Sequence, residues 1–392
     1  MTGLELWQLR VSARTRWQVV RLTDGDGGHG GGAVGLGEYS DAGPGAAALW
    51  AEIAARLADG ASVREVLAEL DGDSWALEPG ALAGMGVDGG ARRVSADVGG
   101  PADRLTRATV RGALECAAAD LAARRAGEPL WRRLGAPGPR PVRRYANLNR
   151  ALRLRTPEEF AEVAAAALAA GYTALKCAPF DGLGSEDLLA AGLERARAVR
   201  RAAPAAELMV DLHHLLTVDQ ILAIGRQLRA LDLRWLEDTA ALDDPDGLAA
   251  VHAARIAPLA GGEFARTPGE VRTPLRAGRL AWLLPDVKHA GGLAAAARLA
   301  EEALAAGAGV SLHNPAGPVA TAAGLHLAAA LGPLVETEFA FGEAPWRPRA
   351  VRPAESGDGP WLLPAEGPGL GLDLDPARWT AVPVPRAEGV RQ

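Results

Sequence analysis

Cysteine and long apolar runs are scarce in this sequence. Its two cysteines, Cys116 and Cys177, are too few for a disulfide framework and are typical of a protein that folds in a reducing compartment. Apolar stretches such as residues 164–170 are far shorter than the ~20 residues that span a bilayer. The first ten residues lack the basic and apolar regions of a signal peptide. We therefore expect a cytoplasmic protein that does not associate with membranes.

Excess positive charge is absent as well. The formal net charge is −6, which gives no basic surface for nucleic acid. Among the 42 basic side chains only two are lysines, Lys176 and Lys288. GC-rich coding exchanges surface lysine for arginine at little cost, but not where a compact charge with a tunable pKa is needed. Both lysines are therefore candidate functional residues.

The first third of the chain has its own pattern. A length of 392 residues corresponds to two or three domains, or to one large barrel with an attachment, at ~150 residues per domain. Apolar periodicity predicts strands over 4–12 and 17–22, followed by helices over 45–58, 62–70 and 102–134. Strands first and helices afterwards predict an α+β domain over residues 1–135.

A glycine-rich segment, TDGDGGHGGG, interrupts this domain at residues 23–32. It contains a formal G-x-G-x-x-G at Gly25, Gly27 and Gly30. A phosphate-binding turn of this kind must open directly into a helix, whereas here an extended stretch, AVGLGEYSD, follows. The pattern favours a mobile flap over a dinucleotide site.

From residue 142 onwards, short apolar runs alternate with helical segments rich in Ala, Leu and Arg. Eight such runs separated by helices favour a (β/α) barrel over an open doubly wound sheet, here within residues 136–344. The tail from 345 to 392 is rich in proline and glycine and is predicted to return to the N-terminal domain. The eight predicted strands are Val142–Asn149, Thr173–Pro179, Glu207–His213, Leu233–Glu237, Pro258–Glu263, Leu280–Asp286, Gly309–His313 and Leu334–Glu338.

Ionisable side chains stand where these strands end. Because the active sites of such barrels lie at the carboxyl ends of the strands, these side chains should share one rim. Intervals of 26 residues separate Asp211 from Glu237 and Glu237 from Glu263, as expected if each βα unit carries one acid to the same place. The rim candidates are Lys176, Asp211, His213, Glu237, Glu263, Asp286, Lys288, His313, and Glu336 or Glu338.

Three acids on consecutive strands suggest a metal centre. Without a cation, Asp211, Glu237 and Glu263 would repel one another and raise one another's pKa values. Mg²⁺ resolves this repulsion because it binds a few carboxylate oxygens and keeps positions for water or substrate. Zinc is a poorer match, since no cysteine or paired-histidine ligand set is visible. The alternative is that each acid only caps the helix that follows it.

Two histidines accompany the acids. His313 and Asp286 lie on neighbouring strands, and a carboxylate beside an imidazole fixes its tautomer and raises its basicity, as a general base requires. His213 is two residues after Asp211 and should point to the same face of its strand. These positions predict an imidazole on each side of the metal site.

The sequence resembles the enolase superfamily, and within it the mandelate racemase subgroup. The blocks that carry the resemblance are GLGEYSDAG, GEPLWRRLG, YTALKCAPFDG, LMVDLHH, RWLED, LAGGE, PDVKHAGG, SLHNPAGPVATAAGLHLAAAL and LVETEF, in this order. The resemblance implies an α/β protein with a modified (β/α)7β barrel of the TIM type and an α+β N-terminal capping domain. It also favours a symmetric homo-oligomer.

The resemblance implies roles for the rim residues. Asp211, Glu237 and Glu263 correspond to Mg²⁺ ligands, and Asp286 and His313 to the dyad that moves a proton on the substrate's α-carbon. Glu336 corresponds to the acid that hydrogen-bonds the substrate carboxylate, and Lys176 to the first lysine of a K-x-K pair. The second position of that pair is Ala178, a departure that argues against a two-base racemase. His213 resembles the D-x-H histidine of acid-sugar dehydratases, which protonates a departing hydroxyl.

These roles predict an Mg²⁺-dependent dehydratase of an aldonate-like or aldarate-like acid that yields a 2-keto-3-deoxy product. The alternatives are a racemase, epimerase or cycloisomerase with the same dyad, and a non-catalytic metal-binding homologue. Further predicted substrate contacts are Asn147, Asn149, Glu338 and Lys288. Lys288 is placed either on a substrate oxygen, on Glu263 or in a structural salt bridge.

Overall fold

A computed structural model describes residues 2–13, 15–24, 32–70, 101–355 and 359–385. The predicted flap at 23–32 lies mainly outside this set, because residues 25–31 are not described. Within the described residues no helix combines the length and the apolar character needed to cross a membrane. Cys116 and Cys177 are both free and buried.

The N-terminal domain contains an antiparallel sheet covered by helices. Its strands are β1 (Thr2–Arg10), β2 (Arg16–Asp24) and β3 (Val34–Glu38), and its helices are α1 (Ala46–Ala58), α2 (Val63–Leu70) and α3 (Pro101–Arg125). Helix α3 packs directly on β3, because a Cβ atom at Gly35 or Gly37 would collide with the α3 backbone. The predicted α+β pattern is thus present in the structure.

The long helix is shorter than its sequence pattern predicts. Prediction extended it over residues 102–134, whereas α3 ends at Arg125 and a separate short helix, α4 (Leu130–Arg133), follows. Gly127 between them has φ of +67°, a left-handed conformation that ends a helix. Pro129 then begins the next turn in an extended conformation.

Eight parallel strands close into a barrel, because β11 pairs in parallel with β4. The fold prediction is therefore confirmed; most strands are shorter than predicted, whereas β7 has its predicted bounds and β11 extends further. The strands are β4 (Val142–Asn147), β5 (Ala174–Cys177), β6 (Glu207–Asp211), β7 (Leu233–Glu237), β8 (Leu259–Gly261), β9 (Trp282–Leu283), β10 (Gly309–Leu312) and β11 (Val335–Ala340). The intervening helices are α5 (Pro157–Ala169), α6 (Leu188–Ala202), α7 (Val218–Ala223), α8 (Gly225–Arg229), α9 (Pro245–Ala253), α10 (Pro268–Arg276), α11 (Leu293–Ala305) and α12 (Pro318–Leu331).

The inside of the barrel is layered along its axis. A middle layer of apolar side chains is formed by Tyr145, Ala174, Met209, Trp235, Ala260 and Leu284. Towards the amino ends of the strands lies a charged layer of Arg143, Glu207, Arg234 and Glu336. A register irregularity between β6 and β7 adds Arg234 to this layer. The rim residues lie on the opposite side of the apolar layer.

The C-terminal tail contacts both domains. Strand β13 (Trp361–Leu362) pairs with β4 of the barrel, and β15 (Thr380–Val382) pairs with β1 of the N-terminal sheet. Between them β12 (Val351–Arg352) pairs with β14 (Asp373–Leu374). The tail thus returns to the N-terminal sheet as expected, and it also covers part of the barrel.

A glutamate at the end of β3 holds the N-terminal domain over the rim. The carboxylate of Glu38 accepts hydrogen bonds from the backbone N–H groups of Gly317 (2.7 Å) and Ala320 (2.9 Å), at the start of α12. These N–H groups have no partner within the helix, and the positive end of the helix dipole favours an anion there. Because α12 begins just beyond the carboxyl end of β10, this contact places the cap next to the site.

Candidate active site

Three buried acids converge at the carboxyl ends of consecutive strands. Asp211 and Glu237 are register partners on β6 and β7, and Glu263 follows β8. All three are at most 3% exposed. Lys176 Nζ lies 2.8 Å from Glu237 Oε1 and 3.4 Å from Asp211 Oδ2. The spacing prediction that joined these acids at one rim agrees with this geometry.

The charges in this cluster are unequal. Burial and the nearby Asp211 carboxylate raise the pKa of Glu237 to about 8, although Lys176 opposes the shift. Burial would also raise the pKa of Asp211, but His213 and Lys176 hold it below its usual range. Burial would lower the pKa of Lys176, and Glu237 and Glu338 instead raise it well above its usual value. Lys176 is therefore the shared cationic partner of several buried carboxylates.

His313 bridges two acids. Its Nδ1 lies 2.9 Å from Asp286 Oδ2 and its Nε2 lies 2.8 Å from Glu263 Oε2. Burial would lower the pKa of His313, but Glu263 and Glu338 raise it well above its ordinary value. The structure thus brings together the predicted His–Asp pair and sets it against one of the three acids of the cluster.

Lys288 pairs with the acid of this dyad. Its Nζ lies 2.7 Å from Asp286 Oδ2, the same oxygen that His313 approaches. Of the predicted partners, Glu263 is therefore wrong, since the observed partner is Asp286. Both charged groups are buried, at 2% and 1% exposed.

His213 also bridges two acids. Its Nε2 lies 3.0 Å from Asp211 Oδ2, so the two side chains meet as predicted, although His213 lies beyond the end of β6. Its Nδ1 lies 2.8 Å from Asp181 Oδ1, a residue that the sequence analysis did not identify. Asp181 follows β5 in the segment CAPFDG, so the strand-end rule that found the other acids was also the signal for this one.

Glu336 is the residue that the structure moves away from the rim. Its carboxylate lies 2.9 Å from Arg234 Nη1 and 3.6 Å from Arg143 Nη1, in the charged layer at the amino ends of the strands. The predicted contact of Glu336 with substrate is therefore wrong in position. Glu338, two residues later on the same face, lies 3.1 Å from Lys176 Nζ and 3.7 Å from His313 Nε2.

The asparagines of β4 already have protein partners. Asn147 donates to Glu338, and its oxygen accepts from the backbone N–H of Asn149 at 2.8 Å. The oxygen of Asn149 accepts from Ala178 N, also at 2.8 Å. Both side chains hold rim elements in place, and the contacts with substrate predicted for them stay predictions.

Two further contacts were missed by sequence reasoning. The indole Nε1 of Trp235 donates to Glu237 at 2.9 Å, and the backbone N–H of Asn314 donates to Glu338 at 3.0 Å. The first follows from the period of two along β7, which was available in the sequence. The second depends on how the chain leaves β10, for which the sequence carries no signal.

The donor chemistry of the cluster fits a hard divalent ion. Asp211, Glu237 and Glu263 supply only carboxylate oxygens, and a cation would relieve the repulsion that raises the pKa of Glu237. As the side chains stand, no group of three or more His, Cys, Asp or Glu residues in the described part of the chain is arranged to hold an ion. Lys176 and His313 occupy the oxygens of Glu237 and Glu263 instead.

A family comparison adds to this geometry. The sequence profile of the family "Enolase C-terminal domain-like" matches residues 159–378, more than half of the chain. The chain belongs to the enolase superfamily. Among solved structures, a mandelate racemase/muconate lactonizing enzyme from Jannaschia sp. CCS1 is similar to this chain, with a TM-score of 0.75 over 96% of this chain and 95% of that one. At 24% identity this likeness shows the fold alone.

Curated relatives match over shorter segments. A D-galactonate dehydratase family member from Streptomyces bingchenggensis is 33% identical over 176 residues, covering 44% of this chain and 43% of the relative. A D-galactarolactone cycloisomerase from Agrobacterium fabrum is 30% identical over 188 residues, covering 45% of this chain and 50% of the relative. The matched segments therefore span about half the length of these relatives or less.

Proposed function

We propose that this protein is an Mg²⁺-dependent hydro-lyase that removes water from a sugar acid of the aldonate or aldarate type. The observation that carries the proposal is the pair of histidines on opposite members of one carboxylate cluster, His313 against Glu263 and His213 against Asp211. One imidazole can take a proton while the other gives one, as β-elimination requires. Sugar-acid dehydratase names among the relatives support this class.

The bound ion has a defined contribution. Asp211, Glu237 and Glu263 would hold Mg²⁺, which would supply positive charge for the substrate carboxylate and so make the neighbouring α-proton more acidic. Lys176, buried within 3.4 Å of Asp211 and Glu237, adds positive charge at the same place. Glu338 takes the position against the substrate carboxylate that the sequence analysis assigned to Glu336.

The two histidines divide the proton transfers. His313 Nε2 takes the α-proton, and the C–H electron pair becomes the carbon–carbon double bond of an enediolate. Asp286 holds Nδ1 of this ring at 2.9 Å and keeps Nε2 directed to the cluster. His213 Nε2 gives a proton to the departing β-hydroxyl, so that water leaves. The remaining enol becomes the 2-keto-3-deoxy acid.

Cycloisomerisation is the second candidate, because one relative is named a D-galactarolactone cycloisomerase. The same dyad would exchange an α-proton without loss of water. Ala178, which cannot accept a proton, disfavours a racemase with a second lysine base on β5.

The test is turnover of a panel of sugar acids, headed by D-galactonate and D-galactarolactone, with Mg²⁺ present. We expect a 2-keto acid that semicarbazide detects, and solvent deuterium at the α-carbon of recovered substrate. Exchange without any 2-keto acid would favour the cycloisomerase. Mg²⁺ binding with neither reaction across the panel would overturn the enzymatic proposal and favour a metal-binding homologue.

His313→Asn is the matched control for this test. The amide keeps the size and a hydrogen bond to Asp286 but cannot accept the α-proton. We expect the rates of 2-keto acid formation and of deuterium incorporation to fall by about 10²- to 10⁴-fold, the usual contribution of a general base. Calorimetric Mg²⁺ binding and the unfolding temperature should stay close to those of the parent protein.

A further inference from the structure

Asp181 has no role in the reaction as proposed so far, yet it contacts a reacting side chain. Its Oδ1 lies 2.8 Å from His213 Nδ1, and Nε2 of the same ring lies 3.0 Å from Asp211 Oδ2. The imidazole is therefore fixed at both nitrogens. Both side chains are largely buried, at 14% exposed for Asp181 and 12% for His213.

The backbone at His213 increases the need for such a partner. His213 lies beyond the end of β6 and has a backbone φ of +44°, a left-handed conformation that residues other than glycine rarely adopt. The strand therefore does not direct this ring as it directs Asp211. Its orientation depends on what its two nitrogens bind.

Two arginines hold the loop that carries Asp181. Arg155 Nη2 lies 3.3 Å from Asp181 Oδ2 and donates to the carbonyl of Ala178 at 2.6 Å. Arg195 donates to the carbonyls of Pro179 (3.0 Å) and Asp181 (2.9 Å). Both guanidinium groups lie over the ring of Phe160, which restricts their movement. Asp181 is thus presented on a rigid support, and its carboxylate is shared between Arg155 and His213.

The arrangement repeats the geometry of the other histidine. His313 has Nδ1 at 2.9 Å from Asp286 and Nε2 at 2.8 Å from Glu263, a proposed metal ligand. His213 has Nδ1 at 2.8 Å from Asp181 and Nε2 at 3.0 Å from Asp211, another proposed ligand. Each ring therefore has one acid behind it and one acid of the cluster in front of it.

We propose that Asp181 is the positioning residue of His213, so that the site contains a second carboxylate–histidine dyad that serves the departure of the hydroxyl. This inference rests on the proposed dehydration. With Nδ1–H bonded to Asp181, the proton available for transfer is on Nε2. When the carbon–oxygen bond breaks, its electron pair remains on oxygen, which takes that proton and leaves as water. His213 is left neutral, still donating Nδ1–H to Asp181, and regains a proton from solvent.

A positioning role for Asp181 affects the rate of elimination and not the rate of α-proton exchange. A purely structural role would change both rates together. His313 performs α-proton exchange, whereas only elimination needs His213. In Asp181→Asn, with Mg²⁺ and D-galactonate in D₂O, we expect 2-keto acid formation to fall on the order of 100-fold, within the usual range for acid catalysis. Deuterium incorporation into recovered D-galactonate should stay within about threefold of the parent or rise, because intermediates that do not eliminate return to substrate. Asp181→Glu, which keeps the carboxylate, should restore part of the elimination.

Asp187→Asn is the matched control. It removes the same charge from the same loop at an exposed position, and its side chain makes no capping hydrogen bond to α6. Both rates should remain at parental values. Equal losses of exchange and elimination in Asp181→Asn would overturn the inference and leave Asp181 a structural residue.

A spectroscopic measurement separates this inference from the proposed function. In ¹⁵N-histidine-labelled protein, with His213→Gln used for assignment, Asp181→Asn should shift the Nδ1 signal of His213 and leave that of His313 in place. An unchanged His213 signal would overturn the hydrogen bond on which the inference depends. A parent protein that neither exchanges nor dehydrates any panel member, but shows this shift, would overturn the proposed reaction and not the contact.

Discussion

The two ends of the barrel interior carry charges on the same strands and use them differently. At the amino ends, Arg143 and Arg234 contact Glu207 and Glu336 at 2.9 to 3.6 Å, so two cations meet two anions. At the carboxyl ends, Asp211, Glu237 and Glu338 surround a single lysine, Lys176, while Glu263 is held by His313. The apolar layer of the barrel lies between the two sets.

The difference indicates which end is structural and which is chemical. The network at the amino ends has matched charges, with Glu336 buried and Glu207 exposed to solvent, and it holds strands together without requiring a ligand. A buried cluster with too many carboxylates is costly, because each one raises the pKa of the others. Such a cost persists where a cation or a reacting group relieves it, and strongly perturbed ionisable groups are for this reason frequent at active sites.

A substitution in the charged layer at the amino ends of the strands should give the largest loss of stability. In Arg234→Met, buried Glu336 keeps only Arg143 at 3.6 Å, and the removal of one partner from a buried pair typically costs about 3 to 5 kcal/mol, whereas the exposed Glu207 is solvated by water. We expect urea unfolding to show a loss near the lower value, because the Arg234 side chain is 16% exposed. Calorimetric Mg²⁺ affinity should not change.

The double variant Arg234→Met with Glu336→Gln is the control, because it removes charge of both signs and should recover part of the lost stability. If Mg²⁺ affinity fell together with stability in the single variant, the two ends would not be independent and the comparison would fail.

Glu343 is another buried acid near the carboxyl ends of the barrel strands. We expect its burial to make the free energy of unfolding depend on pH. Within the described part of the chain, both oxygens of Glu343, in the loop after β11, lack a hydrogen-bond partner. Burial raises its pKa from 4.5 to about 7, although Arg150 and Arg347 oppose the shift. Since the folded state holds this proton more tightly than the unfolded chain, stability is lost as pH rises from about 4.5 to about 7.

Glu343→Gln removes this dependence. We expect a gain on the order of 3 kcal/mol at pH 8 and almost none at pH 4, from unfolding measured across this range. Glu158→Gln, at an exposed position in the first turn of α5, is the control and should leave the pH profile unchanged. A Glu343→Gln profile parallel to that of the parent would show that Glu343 is ionised in the folded protein at no cost.

The smallest expected effect is the stabilisation of the folded protein by Mg²⁺. This stabilisation should require the acids of the rim. A ligand that binds the folded state stabilises it by about 2.7 kcal/mol at one hundred times its dissociation constant. We expect this increment in the parent protein and its loss in Glu237→Gln, from thermal unfolding with Mg²⁺ and with EDTA. Glu336→Gln, the same change at the opposite end, should keep the increment. An undiminished response in Glu237→Gln would remove Glu237 from the metal site.

Strand positions and most rim residues were readable from the sequence. Each βα unit has nearly constant length, so equal intervals between Asp211, Glu237 and Glu263 indicate equal places in a repeating structure. The His313–Asp286 contact followed from the adjacency of their strands, and the structure shows it at 2.9 Å.

Glu336 and Glu338 show where the interval argument fails. Both lie on the inward face of β11, because they are two residues apart. The predicted strand ended at Glu338, whereas β11 continues to Ala340 and pairs Glu338 with Tyr145 of β4. The contacts of Glu338 with Lys176 and Asn314 place it at the rim, whereas Glu336 contacts Arg234 below the apolar layer. Period-two patterns determine the face of a residue and not its height along the barrel.

The sequence alone determined the barrel, its cap and the three acids Asp211, Glu237 and Glu263, because these depend on periodicity and spacing along the chain. Only the folded chain decided which charges are matched. Arg234 joins the charged layer at the amino ends of the strands through a register irregularity between β6 and β7. Asp181 contacts His213 because Arg155 and Arg195 fix its loop. Such pairings join residues far apart in the chain, and the free energy of a buried charge depends on what surrounds it in space.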